Sequence, residues 1–218
     1  MADDEGMRLV DLSHPIKSES QSLLSGTHLK RGESHAKFLP ARHKAPSITV
    51  GTHQGTHVDA MSHFIPDGRS VDQIPLDWFY GTAHVLRLPK EARADITPED
   101  LKPFEEILQP EAKIVIATGW GMEFGTVRFF VEFPSLTEEA AEYLASRRLR
   151  MLAMDTPTPS REATRVHEIL FAPGVEMVLV QSLANLESLP DQFTFMGFPL
   201  NVPGNDGSPV RAVGLVED

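Results

Sequence analysis

The sequence of 218 residues contains no cysteine, and this absence removes several kinds of chemistry at once. Disulfide bonds, thiolate nucleophiles and cysteine-ligated zinc sites are all excluded. The sequence also lacks an apolar run long enough to cross a bilayer, so we expect no membrane-spanning segment. Residues 1–6 are acidic and have no apolar core of the kind found in signal peptides, which makes the cytoplasm the expected compartment.

Basic residues are scarce relative to acidic ones, with 20 Lys and Arg against 31 Asp and Glu. A chain with a net charge of −11 and no basic patch is a poor match for nucleic acid or an anionic membrane surface. The composition, 41% hydrophobic and 23% charged, is ordinary for a globular protein. Because the length suits one well-buried domain and no repeat or linker divides the chain, we expect a single domain over residues 1–218.

Strand and helix patterns alternate in the second half of the chain, whereas the first half contains strands and loops. Strands are predicted at 8–13, 47–50, 83–88, 113–118, 150–154, 175–180 and 209–215, and helices after Thr97, over 136–145 and over 162–171. This order predicts an α/β domain with a mixed sheet. Residues 17–46 are polar and irregular, which indicates an extended arm or lid, with a disordered or partner-bound segment as the alternative.

Histidine is abundant, and its distribution is uneven. His53, His57, Asp59 and His63 fall within eleven residues. A helix would place the first two and the last two on nearly opposite faces, and an extended strand would separate His53 from Asp59 by roughly 20 Å. Since donors lie about 2.0–2.2 Å from a bound metal, we predict a sharp bend at Gly55, which tolerates such backbone conformations. Nitrogen and oxygen ligands without sulfur suit zinc, manganese or iron.

The role of His63 stays open at this level. It can be a fourth ligand, or it can carry protons for a water activated at an open metal position. The other histidines fit a structural interpretation: His14, His28, His35 and His43 lie in an early loop region, with His28 or His35 within possible reach of a substrate, and His84 lies in a strand. The segment 206–208 has the local pattern of a turn, with no preference between a purely structural and a functional role. Trp120 and the group Phe193, Phe195 and Phe198 fit the core or a subunit interface better than a substrate wall.

The motif His53-Gln-Gly-Thr-His57-Val-Asp59-Ala-Met-Ser-His63 resembles the H-x-G-T-H-x-D-x-P-x-H signature of the cyclase-like metal hydrolases. This family includes bacterial kynurenine formamidases (arylformamidases) and isatin hydrolases. Further stretches agree in order, at 10–13, 64–68, 74–76, 118–120, 155–157 and 206–211, so the resemblance covers nearly the whole chain. It implies an α/β fold with a mixed, strongly curved, barrel-like sheet flanked by helices. We also expect a homodimer or homotetramer.

The resemblance assigns roles to individual positions. It makes His53, His57 and Asp59 ligands of a metal, and it makes His63 the catalytic proton donor and acceptor. His167 and Gln181 stand where formamidases have a histidine and a glutamate that, with the aspartate, hold a second metal. Because the neutral amide of Gln181 would hold a second divalent ion poorly, we expect one Mn²⁺ or Zn²⁺ per chain rather than two. Gln181 could join the first metal, and His167 could be a ligand or support one.

The implied function is metal-dependent hydrolysis of the C–N bond in a small cyclic or formylated amide, as in isatin hydrolases. Formamidases have a tryptophan after the first strand that contacts the substrate, and residues 18–38 contain none. Action on N-formylkynurenine is therefore the alternative. Dehydration or ring closure, and metal binding without catalysis, also remain open on the same scaffold. Met61 replaces the signature proline at a position that varies among cyclase-like proteins.

Overall fold

A computed structural model describes residues 6–17, 29–32 and 46–217 of the chain. These residues form a nine-stranded mixed sheet curled into a half-barrel and flanked by helices, together with two small two-stranded sheets. The predicted α/β fold with a strongly curved mixed sheet is thus confirmed. Among the described residues, no helix combines the length and apolar character that a membrane span requires.

The strands and helices of the described residues are as follows. The strands are β1 (Met7–Asp11), β2 (Lys30–Gly32), β3 (Ser47–Thr49), β4 (His57–Asp59), β5 (Tyr80–Arg87), β6 (Asp95–Ile96), β7 (Lys113–Ala117), β8 (Ser135–Leu136), β9 (Met151–Met154), β10 (Val178–Gln181), β11 (Gln192–Met196), β12 (Gly207–Pro209) and β13 (Val213–Glu217). The α-helices are α1 (Pro98–Leu101), α2 (Val127–Val131), α3 (Glu138–Ser146) and α4 (Ala163–Phe171).

The large sheet has the strand order β1-β13-β11-β5-β7-β9-β10-β4-β12. Its central strands β5, β7, β9 and β10 are parallel, and the strands on either side pair antiparallel. Strands β9 and β10 are buried along their whole length, as expected for parallel strands with both faces covered. The short strand β4, which carries His57 and Asp59 of the histidine motif, lies between β10 and β12. This arrangement brings distant parts of the sequence next to the motif.

The predicted helix starts are explained by local capping. Thr97 and Asp100 form a reciprocal capping box at the start of α1, and Pro98 occupies the first helical position. At the start of α3, the hydroxyl of Thr137 accepts a hydrogen bond from the backbone N–H of Ala140. The sequence prediction for both helix starts is therefore confirmed.

Several elements differ from the sequence prediction, and three of them have a clear physical reason. Helix α2 was not predicted, because five residues are too short to show a helical period. The strand expected from residue 175 begins at Val178, since Glu176 has a left-handed backbone with φ of 47° that interrupts an extended run. The strand expected over 209–215 is divided between β12, which pairs with β4, and β13, which pairs with β11 and β1.

The predicted arm or lid over residues 17–46 is described only in part. Its residues Lys30–Gly32 form β2, which pairs antiparallel with β3 in a separate two-stranded sheet. Most of the rest of the segment, including His28, His35 and His43, lies outside the described residues. Its role as an arm or lid stays a prediction.

Candidate metal centre

The bend predicted at Gly55 is present. Gly55 has a left-handed backbone with φ of 69°, and a Cβ at this position would lie 2.9 Å from Cγ1 of Ile16. The chain turns through residues 52–56 and then enters β4. The turn folds His53 back towards the strand, so that its Nδ1 lies 2.6 Å from Oδ1 of Asp59. The turn at Gly55 thus brings the side chains of His53 and Asp59 into contact.

The structure brings together His53, His57 and Asp59. One ligand atom from each residue can be chosen so that all three lie within 4.8 Å of one another. Oδ1 of Asp59 is 3.4 Å from Nε2 of His57, and the side chains of His57 and Asp59 are buried. The Nδ1 of His57 donates to the carbonyl oxygen of Gly55 at 2.8 Å, which leaves Nε2 to face the carboxylate. Two imidazole nitrogens and a carboxylate oxygen at these separations fit a divalent transition metal.

The charges of this cluster suit metal binding. Burial opposes ionisation of Asp59, but the imidazole rings of His167, His53 and His57 that face its two oxygens outweigh burial and hold the pKa of Asp59 well below its ordinary value. Burial also disfavours the charged form of His53, yet the carboxylates of Asp59 and Asp206 raise the pKa of His53 to about 9. In the metal-free protein His53 is therefore a proton-bearing partner of two carboxylates. Binding of a cation at its Nδ1 must release that proton.

His167 and Gln181 lie on the other side of the same carboxylate. Nε2 of Gln181 donates to Oδ2 of Asp59 at 2.5 Å, and Nε2 of His167 lies 3.4 Å from that oxygen. Helix α4 carries His167, whose Nδ1 donates to the carbonyl oxygen of Ala163 one turn earlier at 2.6 Å. Gln181 ends β10 and stands directly opposite His57 in the ladder with β4. The two oxygens of Asp59 thus have different surroundings: Oδ1 faces His53 and His57, and Oδ2 faces His167 and Gln181.

His63 is close to this cluster but outside its three-residue core. It ends a short 3₁₀ helix, Met61–His63, and its ring stacks on the ring of His53 with centroids 3.8 Å apart. Burial and the neighbouring charge of His53 lower the pKa of His63, against the opposing effect of Asp59 and Asp206. A neutral imidazole next to the metal ligands suits a group that accepts a proton.

Asp206 is a site residue that the sequence left undecided between a turn and a function. Its Oδ2 lies 3.0 Å from Nε2 of His53 and 2.9 Å from Nδ1 of His63. These three residues also form a group whose ligand atoms lie within 4.8 Å of one another. The adjacent Gly207 is required here, because a Cβ would lie 2.5 Å from Cε1 of His53. The sequence signal for Asp206 was its place in the 206–211 stretch of the family resemblance.

The cluster forms part of the wall of a cavity of about 550 Å³. Most of the remaining wall is apolar, and it is built by Phe64, Phe124, Phe130, Val131, Phe133 and Pro157. Helix α2 and the segment before it supply several of these side chains. Arg161 also lines the cavity and is held by the carbonyl oxygen of Phe133 and by Asp95. A cavity of this size and character suits a small, mainly apolar molecule.

The other residues singled out from the sequence, where the structure describes them, do not line this cavity. Trp120 is buried against Phe129 and Phe133, and its indole N–H donates to the carbonyl oxygen of Phe129. Phe193 and Phe195 belong to the main core, whereas Phe198 is exposed. His84 lies in β5, and His14 stacks on Phe124 with ring centroids 3.8 Å apart.

Comparisons with known proteins agree with this architecture. A family model described as "Putative cyclase" matches residues 10–161. Among curated proteins, a kynurenine formamidase of Bacillus cytotoxicus is 24% identical over 208 residues, which cover 94% of this chain and 95% of that protein. A kynurenine formamidase of Geobacillus thermodenitrificans is 29% identical over 169 residues, which cover 76% of this chain and 77% of that protein.

Solved structures also align with this chain over nearly its whole length. Isatin hydrolase A from Labrenzia aggregata bound to benzyl benzoate aligns with a TM-score of 0.82 at 26% identity, over 97% of this chain and 94% of that one. An isatin hydrolase bound to the product analogue thioisatinate aligns with a TM-score of 0.84 at 21% identity, over 98% of this chain and 94% of that one. With the family model matching well over half of its length, the chain belongs to the cyclase family.

Proposed function

We propose that this protein is a metal-dependent hydrolase that cleaves the C–N bond of a small cyclic or formylated amide. The observation that carries the proposal is the buried cluster of His53, His57 and Asp59 beside His63 in the wall of the apolar cavity. The relatives support the reaction class, since their names are kynurenine formamidase and isatin hydrolase. The isatin hydrolase likeness, together with Gln181 at the formamidase glutamate position, favours the cyclic amide as the first candidate.

His53, His57 and Asp59 are the residues that would hold the metal. A divalent ion there supplies a Lewis acid that polarises the amide carbonyl and acidifies water. We infer one ion per chain, on the Oδ1 side of Asp59, because Oδ2 is occupied by the amide N–H of Gln181. Gln181 and His167 then orient the carboxylate rather than bind a second ion. Manganese and zinc are the expected metals, since nitrogen and oxygen donors suit both.

His63 is the proton carrier in this mechanism. It takes a proton from the attacking water and delivers it to the leaving nitrogen, which becomes the amine of the product. Its lowered pKa keeps the ring neutral at neutral pH, so that it starts as a base. The aromatic wall of Phe64, Phe124 and Phe130 excludes bulk water and packs against the apolar part of the substrate.

The test is turnover by protein loaded with Mn²⁺ or Zn²⁺ on isatin, N-formylkynurenine and simple cyclic amides. We expect a product heavier than the substrate by one water for a cyclic amide. His63→Ala should lower kcat by about 10²–10⁴-fold, and the control His84→Ala should leave it unchanged. A product lighter by one water would indicate dehydration or ring closure. Full metal binding without turnover of any of these amides would overturn the proposal and favour a metal-binding protein.

The curated relatives supply a second candidate substrate. Kynurenine formamidases match about 94% of this chain, which favours N-formylkynurenine over an unrelated amide. The two candidate substrates can be distinguished by comparing kcat/KM for isatin with kcat/KM for N-formylkynurenine on the same metal-loaded sample. A higher value for isatin supports the first candidate, and a higher value for N-formylkynurenine replaces it with the second.

A further inference from the structure

One carboxylate, that of Asp206, joins two histidines with different roles in the proposed reaction. Its Oδ2 accepts a hydrogen bond from Nε2 of His53 at 3.0 Å and from Nδ1 of His63 at 2.9 Å. The first histidine belongs to the candidate metal cluster, and the second lies in the cavity wall. No other described carboxylate bonds to His63.

The backbone fixes Asp206 relative to both partners. Its carbonyl oxygen accepts from the N–H of Ala60 at 2.9 Å, directly before the 3₁₀ helix that ends at His63. The next residue, Gly207, pairs with Asp59 in the β4–β12 ladder. On the other side, the carbonyl oxygen of Asn205 accepts from the N–H of Val71 at 2.9 Å. Asp206 is thus held by the same strand that carries Asp59, and its position follows from the sheet rather than from a free turn.

Two of the histidines around Asp59 share one hydrogen-bonding pattern, and the third has another. His57 and His167 each donate Nδ1–H to a backbone carbonyl and present Nε2 to Asp59. His53 differs, because its Nδ1 faces Asp59 and its Nε2 faces Asp206. If Nδ1 of His53 binds a metal, Nε2–H must be donated elsewhere, and Asp206 is the acceptor in place. Carboxylates beyond the ligand shell commonly fix the tautomer and orientation of a metal-bound histidine in this way.

The same carboxylate determines which nitrogen of His63 is free. With Nδ1–H donated to Asp206, the lone pair is on Nε2, and this nitrogen alone can accept a proton from water. We propose that Asp206 is a positioning residue that fixes His53 as an Nδ1 ligand and His63 as an Nε2 base at the same time. The second half of this inference rests on the proposed hydrolase function, whereas the first half concerns metal binding alone.

The experiment compares Asp206→Ala with the wild type and with a control, Asp191→Ala, which removes an exposed aspartate that pairs with Arg87 at the end of β5. Ring-nitrogen NMR of metal-free protein at mildly alkaline pH reports the tautomer of His63. We expect an Nδ1–H tautomer in the wild type and the control, and a mixture in Asp206→Ala. Titration with Zn²⁺ should show affinity weakened by about 10–100-fold in Asp206→Ala only.

Kinetics at saturating metal separates a positioning role from a merely structural one. Because Asp206 acts through His63 and is not among the residues that line the cavity, Asp206→Ala should lower kcat by about 10–100-fold and leave KM nearly unchanged. Asp206→Glu, which keeps the acceptor, should recover part of the loss. An unchanged His63 tautomer together with unchanged zinc affinity would overturn the inference. If excess metal fully restored the kcat of Asp206→Ala, the inferred role of Asp206 in orienting His63 would be wrong.

Failure of the proposed function gives a different pattern. If the wild-type protein hydrolyses none of the amides, the tautomer and the zinc affinity still report on Asp206 without any need for turnover. Changes in both on Asp206→Ala would then support the positioning role in a protein whose reaction is a different one. The absence of both changes would overturn it whatever the reaction.

Discussion

The two oxygens of Asp59 are the point on which the number of bound metals depends. Oδ1 faces the imidazole nitrogens of His53 and His57, and Oδ2 faces the amide of Gln181 and the ring of His167. An amide N–H carries no charge and donates rather than accepts, so it satisfies Oδ2 without attracting a cation. A carboxylate at position 181 would carry a negative charge and would accept hydrogen bonds rather than donate them, so it would attract a cation.

Gln181→Glu is therefore expected to increase the metal content from about one ion per chain towards two. The new carboxylate would lie next to His167 and Asp59, and these three groups would offer the donors for a second divalent ion. Without metal, the two buried carboxylates repel each other, so the metal-free variant should be less stable than the wild type by about 1–3 kcal/mol. Elemental analysis after dialysis measures the metal content, and thermal unfolding measures the stability of the metal-free protein.

Gln192→Glu is the matched control, because Gln192 is exposed on β11 and the substitution adds the same charge outside the site. It should change neither metal content nor stability beyond about 0.5 kcal/mol. Two ions per chain already present in the wild type would contradict the interpretation of Gln181.

At the residue scale, residue spacing alone predicted the local part of the site, and only the family resemblance pointed to the distant part. His53, His57, Asp59 and His63 are close in sequence, so their spacing alone showed that a bend was needed. His167 and Gln181 entered only through the family resemblance, and their roles stay predictions. Asp206 is 153 residues from His53, and nothing in the local pattern of a turn shows which strand the turn will join.

At the scale of elements, the site depends on the turn before β4. Gly55→Ala should destabilise the protein by about 1–2 kcal/mol, because an alanine must adopt the left-handed backbone of this position. The new methyl group would also meet Cγ1 of Ile16 at 2.9 Å, so the turn must shift. Since the turn carries His53, we expect zinc affinity to fall by at least about tenfold.

Gly174→Ala is a control that distinguishes the loss of stability caused by the backbone from the loss of zinc affinity. Gly174 has the same kind of backbone, with φ of 87°, and a Cβ there would meet no atom within 4 Å. Denaturant unfolding should show a loss of stability in both variants, at least as large for Gly55→Ala because of its added contact with Ile16, whereas calorimetric zinc titration should show weaker binding for Gly55→Ala alone. Equal zinc affinity in the two variants would mean that the turn does not position His53.

A second contact between elements gives the protein a pH-dependent stability. His14 follows β1, donates its backbone N–H to the hydroxyl of Thr56, and stacks on Phe124. Burial lowers the pKa of His14 to about 4, against the opposing effects of the Leu183 carbonyl and Asp11. The imidazole of His14 is therefore protonated near pH 6.5 in the unfolded chain but only near pH 4 in the folded chain.

The contribution of His14 is complete above pH 6.5 and decreases as the pH falls towards 4. Because the side chain is only partly buried, we expect a loss of roughly 1–2 kcal/mol over this window, less than the full shift would give. His14→Phe keeps the ring stack and removes the titration. Urea unfolding of both proteins at several pH values should show that the free energy of unfolding of the wild type falls relative to that of His14→Phe as the pH decreases from 6.5 to 4. A constant difference would contradict the prediction.

At the scale of the whole molecule, the fold class was predictable because buried parallel strands and capped helices leave strong local signals. The runs that became β7 and β9 and the capping residues Thr97 and Thr137 are examples. Strand order was not predictable from the same signals. Strands β4 and β12 have three residues each, and the pairing of β4 with β10 on one side and β12 on the other joins segments more than 100 residues apart.

The expected homodimer or homotetramer is a prediction at this scale. Tyr80 and Phe198 form an exposed aromatic pair on the surface, with ring centroids 6.5 Å apart and about half of each residue accessible. Aromatic residues are enriched where subunits meet, because they remove a large apolar area from water. We therefore expect light scattering during gel filtration to give a mass of two or four chains. We also expect Phe198→Ser to shift this mass towards one chain.

Met122→Ser tests whether the effect is specific to the aromatic pair, since Met122 is 91% exposed and lies on the segment before α2. It should leave the mass unchanged, because an isolated exposed apolar side chain need not mark an interface. A monomeric wild type would contradict the predicted assembly. A multimer that both variants leave intact would place the interface on another surface, and the exposed side chains of Met7 and Leu9 on the edge strand β1 would be the next to change.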